Sequence, residues 1–471
     1  MTDRPRPAAI AALLSFLFPG LGQAYLGERR AALLFAAPIA VAALGAITTA
    51  IALDEQLLNE LLSAPVLLGL VVANVAIGAW RVGAIGHVGL RRDRRDETRR
   101  VMSLVLVVVL LATTAGMHAW AGMLIGQLNA SLGEVFGSGN GRAGVTNGGG
   151  PLNRPTYRWD GTERITFLLL GVDSGVGRHE ALTDTILVVS VDPVAGSAIM
   201  VSVPRDTGFL PLPDQSVYPD GLYPHKINGL STEAGDAPEI WCPGEVIDPA
   251  QCGLRTLERA ISLYLGIPIQ YYATVDLQGF ADLIDAVGGV SLCLPGPMID
   301  PEYGGPTWAG VGIELPGGCE RYDGVHALAY ARVRKGWIEL PDGTREYQND
   351  FMRSERQQKV LLELRREFAK ADLIFEFPAI VGAIGSTVET DFPRSLAGDL
   401  ASLLPLITGP DIKRVVLGYP EYVDPPIEPL VNYLLIPRRS DVRFEMQRLF
   451  GRELEGWYLG SEAEGPPQDG T

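Results

Sequence analysis

Apolar residues along this chain fall into two regimes. Over residues 1–123 they form long, nearly uninterrupted runs; beyond that they come in short runs cut by Gly, Pro and charge. Ala31–Leu53, Leu61–Trp80 and Val101–Gly122 contain no charged residue over 23, 20 and 22 positions, and a helix needs roughly 20 apolar residues to cross a hydrocarbon core. Residues 8–26 are apolar too, but Pro19-Gly20 and Gly22 interrupt them, removing a helix donor and weakening the helix. That segment reads either as a re-entrant or interfacial hairpin or as a further span. It does not read as a cleaved leader, because no small-residue cleavage site is followed by soluble chain. Residues 124–160, with Asn147-Gly148-Gly149-Gly150-Pro151, read as a flexible tether.

From residue 161 to about 455 strand-like and helix-like runs alternate. Ile165–Leu170, Ile186–Val191 and Ala198–Val203 are continuous apolar runs, the pattern of buried strands. Asp192-Pro193 and Gly196 predict a hairpin turn between the last two. Leu254–Leu265 has helical spacing and stops at Gly266. Tyr271–Val275 and Val290–Leu294 read as strands, with a helix Phe280–Val287 between them. Val325–Ala331, Arg356–Ala369 and Leu396–Leu404 read as helices and Val415–Leu417 as a late strand. This alternation predicts an α/β domain with a mixed central sheet flanked by helices, preceded by an all-α transmembrane region. The acidic, Gly/Pro-rich residues 456–471 read as a disordered tail.

Charge adds orientation. The net charge is −16. Residues 1–123 hold 11 basic and 8 acidic side chains, so the remainder holds 28 against 47. An acidic outer part argues against nucleic acid as partner, since phosphate backbones need a basic face. Arg29-Arg30 and the Arg91–Arg100 cluster flank the apolar runs, whereas the short loop Asp54–Glu60 is acidic. The positive-inside rule puts both basic loops in the cytoplasm, so the last span exits outward and the α/β domain is extracytoplasmic. All four cysteines, Cys242, Cys252, Cys293 and Cys319, lie in that outer part, as an oxidising compartment favours. Four cysteines allow three pairings. Loop geometry favours Cys242–Cys252 with Cys293–Cys319, free thiols being the alternative, and no C-x-x-C spacing suggests zinc.

The candidate chemistry gathers at element ends. Asp173 follows the first strand, Asp184 precedes the second, and Arg205-Asp206 follow the third. Neighbouring strands ending together would gather these groups on one rim of the sheet. Arg332 and Arg334 close one helix; Asp350, Arg353, Arg356, Gln357 and Gln358 open another. Guanidinium forks match phosphate oxygens, and five of them on one rim of an acidic domain would repel one another without an anion. A carboxylate pair suits Mg²⁺, which commonly binds through one or two carboxylates plus substrate phosphates. The alternative is that each Arg is merely paired with a surface acid. Ser174 lies in no nucleophile elbow, and no Walker lysine follows Gly171–Gly177.

Seven motifs in order then carry a resemblance: Leu168–Ser174, Thr183–Thr185, Val203–Thr207, Lys226–Asn228, Asp285–Val290, Tyr330–Arg334 and Asp350–Gln358. From Ile165 to about Ala369 the chain resembles the LytR-CpsA-Psr family. The resemblance implies a membrane-anchored phosphotransferase. It would move a glycopolymer from a polyprenyl pyrophosphate carrier to a peptidoglycan hydroxyl. Asp173 and Asp184 would hold Mg²⁺. Arg205, Arg332, Arg334, Arg353 and Gln357 would grip the pyrophosphate, with Lys226 and Asp350 in support. Asp206 and Asp350 are the candidate bases. Gly175 and Leu182 stand where the family has Arg, and Arg178 could substitute for one of them. Two other readings use the same residues: a non-catalytic binder of polyprenyl-linked wall polymers, and a hydrolase of the pyrophosphate. The stretch Lys335–Asn349 reads as an insertion that shapes the acceptor side.

Overall fold

A computed structural model describes residues 7–53, 57–89, 97–136, 159, 161–173, 182–213, 217–244, 248–304, 312–368, 370, 377–403, 412–424 and 434–451. The chain divides into two compact units, Met1–Leu132 and Gly133–Thr471.

The first unit is helical. Helices α1 (Ala8–Leu17) and α2 (Leu21–Tyr25) are separated by a turn whose Gly20 has φ 100°. At 1.5 Å per residue, α1 covers only about half a hydrocarbon core, so residues 8–26 form a helical hairpin rather than one spanning helix. A Cβ on Gly22 would lie 2.0 Å from the Ala11 carbonyl oxygen, so α2 folds closely against α1. Helices α3 (Arg29–Leu53), α4 (Leu57–Leu62), α5 (Ala64–Gly89) and α6 (Glu97–Val135) follow. Within α3, α5 and α6, three stretches are long and apolar enough to cross a membrane: Arg29–Thr49, Ala64–Gly89 and Val101–Val135. Polar side chains on the hairpin and α5 satisfy one another: Gln23 Nε2 donates to the Ala84 carbonyl at 2.9 Å, and an Arg81 NH group to the Phe16 carbonyl at 2.8 Å. The helix α6 runs twelve residues into the stretch read as tether, because Ile125, Leu128, Leu132 and Val135 keep helical spacing. The rest of that stretch, apart from Trp159, and the tail 456–471 lie outside the described residues.

The second unit is built on a meander. Strands β1 (Ile165–Asp173), β2 (Leu182–Asp192) and β3 (Ser197–Ser202) pair antiparallel in sequence. The β2–β3 turn is closed by the Asp192 carboxylate, which accepts from the Val194 and Ala195 amides, and by Gly196 at φ 63°. A short hairpin, β4 (Leu210–Pro211) and β5 (Leu222–Tyr223), leads to α7 (Leu230–Asp236), α8 (Pro238–Trp241) and α9 (Pro249–Leu265). Next come β6 (Tyr271–Asp276), α10 (Leu277–Ala286), β7 (Val290–Leu294), β8 (Met298–Asp300), β9 (Ile313–Leu315), β10 (Gly318–Tyr322) and α11 (Gly324–Arg332). The chain continues through β11 (Trp337–Glu339), β12 (Arg345–Tyr347), α12 (Asp350–Phe368), α13 (Phe377–Thr387), β13 (Val388–Thr390), α14 (Ala397–Leu403) and β14 (Ile412–Val416). It ends in β15 (Val423–Asp424), β16 (Ile436–Pro437) and α15 (Arg439–Phe450).

The central sheet has the order β13-β6-β1-β2-β3-β14, with β6 parallel to β1 and β14 parallel to β3. It is the mixed sheet expected from the alternation of elements. One face, with Leu168, Leu170, Ile186, Val188, Ile199 and Val201, packs on α9 and α15 through Leu257, Ile261, Val442 and Met446. A second core joins α10, α11, α12 and the small sheet β12-β11-β8-β9, around Ile284, Tyr330, Met298, Ile338 and Val360. Disulfides Cys242–Cys252 and Cys293–Cys319 close the two loops favoured from their spacing.

Candidate functional site

The site lies where β1 and β6 end, β2 begins and the chain leaves β3. Asp184 is not before β2 but inside it. Val172 pairs with Thr183 and Gly171 with Thr185, so Asp184 is the extra residue of a β-bulge, a feature that re-aims a side chain. Gly171 is needed there: a Cβ would sit 2.9 Å from the Thr185 side chain. Asp184 Oδ1 accepts from an Arg205 NH group at 2.5 Å, and its carbonyl lies 3.5 Å from an Arg353 NH group. Arg205 is held by the chain just past β3, where Asn228 N donates to the Arg205 carbonyl and Ile227 N to that of Thr207. The same loop brings Lys226 Nζ to 2.7 Å from Asp206 Oδ1.

Helix α12 delivers the other half. Asn349 caps it, its Oδ1 accepting from the Phe351 and Met352 amides. Asp350 and Arg353, one turn apart, pair at 3.1 Å. Arg353 is 5% exposed and Asp206 also 5%. Burial, together with the neighbouring Arg205, pulls the Arg353 guanidinium below its ordinary range despite Asp350. Arg205 goes the other way: burial lowers it, but Asp184, Asp350 and Asp206 together outweigh that and raise it. Arg205 is thus surrounded by carboxylates, while Arg353, paired with Asp350, is the more desolvated of the two in effect. The Nε–H donors of both Arg205 and Arg353 are buried with no hydrogen-bond acceptor among the described residues. Such orphans are costly, and a bound anion would satisfy them.

Two members of the polar cluster at the start of α12 belong to the framework. Arg356 is buried and donates to the carbonyls of Tyr330 (2.7 Å) and Val333 and to Gln348 Oε1. Burial pushes it down to about 10. Gln358 Nε2 donates to Ser202 Oγ at 2.8 Å and to the Val415 carbonyl, fastening α12 to β3 and β14. The rim therefore has four candidate Arg ligands, not five. Arg356 fixes Val333, and with it the flanking Arg332 and Arg334, one turn along α12 from Arg353. Arg332 is half-buried and Arg334 is exposed. Gln357 is half-buried on α12. Of Asp173 only the backbone is described, paired with Leu182 at the end of β1. Gly175 and Arg178 lie outside the described residues.

A model of the LytR_cpsA_psr family matches residues 147–417. The chain belongs to this family. Among curated relatives, the polyisoprenyl-teichoic acid–peptidoglycan teichoic acid transferase TagU of Halalkalibacterium halodurans is 28% identical over 260 residues, 52% of this chain and 71% of TagU. The cell wall biosynthesis protein LcpA of Corynebacterium glutamicum is 30% identical over 62% of this chain and 53% of its own length. Staphylococcus aureus MsrR, described as a regulatory protein, is 30% identical over 49% of this chain and 58% of MsrR. This chain therefore covers less than two thirds of the last two. Among solved structures, that of Bacillus subtilis TagV has a TM-score of 0.43 at 23% identity, covering 61% of this chain and 97% of TagV. TagT with bound octaprenyl pyrophosphate lipid has a TM-score of 0.39 at 18% identity, covering 62% of this chain and 92% of TagT.

Several residues of the motifs that carry the family likeness are structural. Asp285 Oδ1 accepts from Gly324 N at 2.7 Å, seating the start of α11, and Gly289 at φ 96° passes 2.6 Å (from its would-be Cβ) below the Tyr322 carbonyl. Thr183 Oγ1 donates to the Asn228 carbonyl at 3.1 Å, tying the bulge to the loop that carries Lys226. In this LytR-CpsA-Psr chain Leu182 is a half-buried apolar residue at the start of β2.

Proposed function

We propose that this chain transfers a phosphate-linked glycopolymer from a polyprenyl pyrophosphate carrier to a peptidoglycan hydroxyl outside the membrane, with Mg²⁺ as cofactor. Family membership supports the reaction class. The observation that carries the reading is the pair of buried, acceptorless guanidinium donors on Arg205 and Arg353. Arg205, Arg353 and Lys226 are each matched by one carboxylate, Asp184, Asp350 and Asp206, so this cluster is formally neutral. A pyrophosphate entering it needs further positive charge. Arg332 and Arg334 supply part; a hard cation would supply the rest. Asp184, with one oxygen not engaged by Arg205, and Asp173 are oxygen donors of the kind Mg²⁺ uses alongside substrate phosphates. When bound, it would neutralise charge on the pyrophosphate and on the departing polyprenyl phosphate.

The protein's own groups then act as follows. Arg205 and Arg353 hold the phosphates through fixed forks, and Arg332, Arg334 and Gln357 extend that grip. An acceptor hydroxyl attacks the phosphorus attached to the polymer. The new O–P bond forms as the bond to the bridging oxygen breaks, and polyprenyl phosphate departs with the electron pair. The hydroxyl proton passes to a carboxylate. Asp350 suits this better than Asp206: its side chain is 21% exposed against 7%, and Asp206 is held at 2.7 Å by Lys226. Leu182 and Gly175, where the family has Arg, favour a second reading, a member that binds the carrier without turning it over. Full-length protein in nanodiscs, given polyprenyl pyrophosphate with Mg²⁺, tests the two. Release of phosphate that Arg334→Ala abolishes supports the enzyme; tight binding with no release in the wild type supports the binder.

A further inference from the structure

The segment between the two arginine motifs is a built platform. Strands β11 and β12 form a hairpin closed by a tight turn, with Leu340 N donating to the Thr344 carbonyl and Gly343 at φ 82°. Its base is clamped: Gln348 N donates to the Gly336 carbonyl at 2.8 Å, and Arg356 holds both Gln348 Oε1 and the Val333 carbonyl. Because side chains alternate across a sheet, the two faces differ. Ile338, Met298 and Leu315 face the second core. The opposite face carries, in register across the four strands, Tyr347, Trp337, Ile299 and Glu314. Trp337 and Tyr347 have ring centroids 6.3 Å apart, and the Arg345 guanidinium lies 4.5 Å from the Trp337 centroid. Tyr347 is 66% exposed.

We infer that this face is a saccharide-stacking platform for the acceptor glycan strand. Trp337 is three residues from Arg334 and Tyr347 three from Asp350, so each backbone lies within about 11 Å of a site residue, a gap a short run of sugar bridges. The pyrophosphate arrives with charge that the arginines can hold. The acceptor's sugar rings carry hydroxyls, acetamido groups and C–H faces rather than phosphate, and an exposed aromatic ring with a polar tip, as Tyr347 presents beside the Arg345-covered Trp337, binds such surfaces at low entropic cost. This rests on the transfer reading, which assigns the donor's phosphates to the arginines and so leaves the acceptor to a separate surface.

The test uses the full chain in nanodiscs and two probes, peptidoglycan glycan strands stripped of stem peptides and a polyprenyl pyrophosphate. Tyr347→Ala is expected to weaken glycan binding about ten-fold with pyrophosphate affinity unchanged, and Tyr347→Phe to retain it. Several results overturn the platform: no glycan binding by the wild type, equal glycan affinity in Tyr347→Ala, a loss extending equally to the pyrophosphate, or Tyr347-dependent binding of the donor polymer instead. Tyr347-dependent glycan binding in a chain that neither binds nor cleaves polyprenyl pyrophosphate would leave the platform standing and sink the transfer reading.

Discussion

Arg353 and Arg356 sit one helical turn apart and differ in what surrounds them. Arg356 has three acceptors from the protein; Arg353 keeps a buried donor without one. Replacing Arg356 with Lys leaves buried acceptors unmatched and should cost about 3 kcal/mol of the second unit's stability, read by urea unfolding of the full chain. Sequence alone grouped the two, because nothing in their spacing tells which faces the helix partner and which the rim. It also passed over Glu258 and Asp391, acids far apart in the chain. Partial burial raises both, with repulsion from Asp391 adding at Glu258, although Arg255 and Arg259 pull Glu258 back and Arg255 and the Tyr272 amide pull Asp391 back. Folded values above the unfolded ones mean the native state holds more protons, so stability falls as pH rises above the ordinary carboxylate range. The thermal midpoint should decline over that rise, and Asp391→Asn should flatten the decline while keeping an acceptor for the Tyr272 amide, which Asp391 Oδ1 receives at 2.8 Å.

At the scale of elements, the bulge between β1 and β2 decides where Asp184 points. Gly171→Ala should force Thr185 aside, cost about 1–3 kcal/mol, and weaken binding of polyprenyl pyrophosphate about ten-fold, measured by titration calorimetry beside a far-UV spectrum that shows the fold retained. The strands of the meander were legible, since buried strands read as apolar runs. Asp184's place inside β2 was not, because Leu182-Thr183-Asp184-Thr185 has no apolar run and a bulge leaves no periodic trace. Helix α12 was read as starting at Arg356 rather than Asp350 for a related reason: its first turn is polar, facing the site and capped by Asn349. The strands β8, β9, β11 and β12 have three residues each, too few for alternation to register, so the platform at Trp337 and Tyr347 was visible only as an insertion.

Across the whole molecule, the charge balance bears on which ligands the proposed reaction can use. A net charge of −16 makes the chain repel polyanions in general, so an anion needs local positive charge of the kind that the buried Arg205 and Arg353 offer through Nε–H donors with no acceptor among the described residues. Apolar stretches able to cross a membrane precede that domain, which suits a substrate whose carrier lies in the bilayer. The decisive measurement labels the polymer-proximal phosphorus of a polyprenyl pyrophosphate-linked glycan and incubates it with the full chain, Mg²⁺ and purified peptidoglycan. Transfer requires the label to enter a phosphodiester on the peptidoglycan, and to stop doing so when Mg²⁺ is chelated or Arg205 is replaced by Ala. Label released as a free phosphorylated glycan, or retained on the lipid by the wild-type protein, would contradict it.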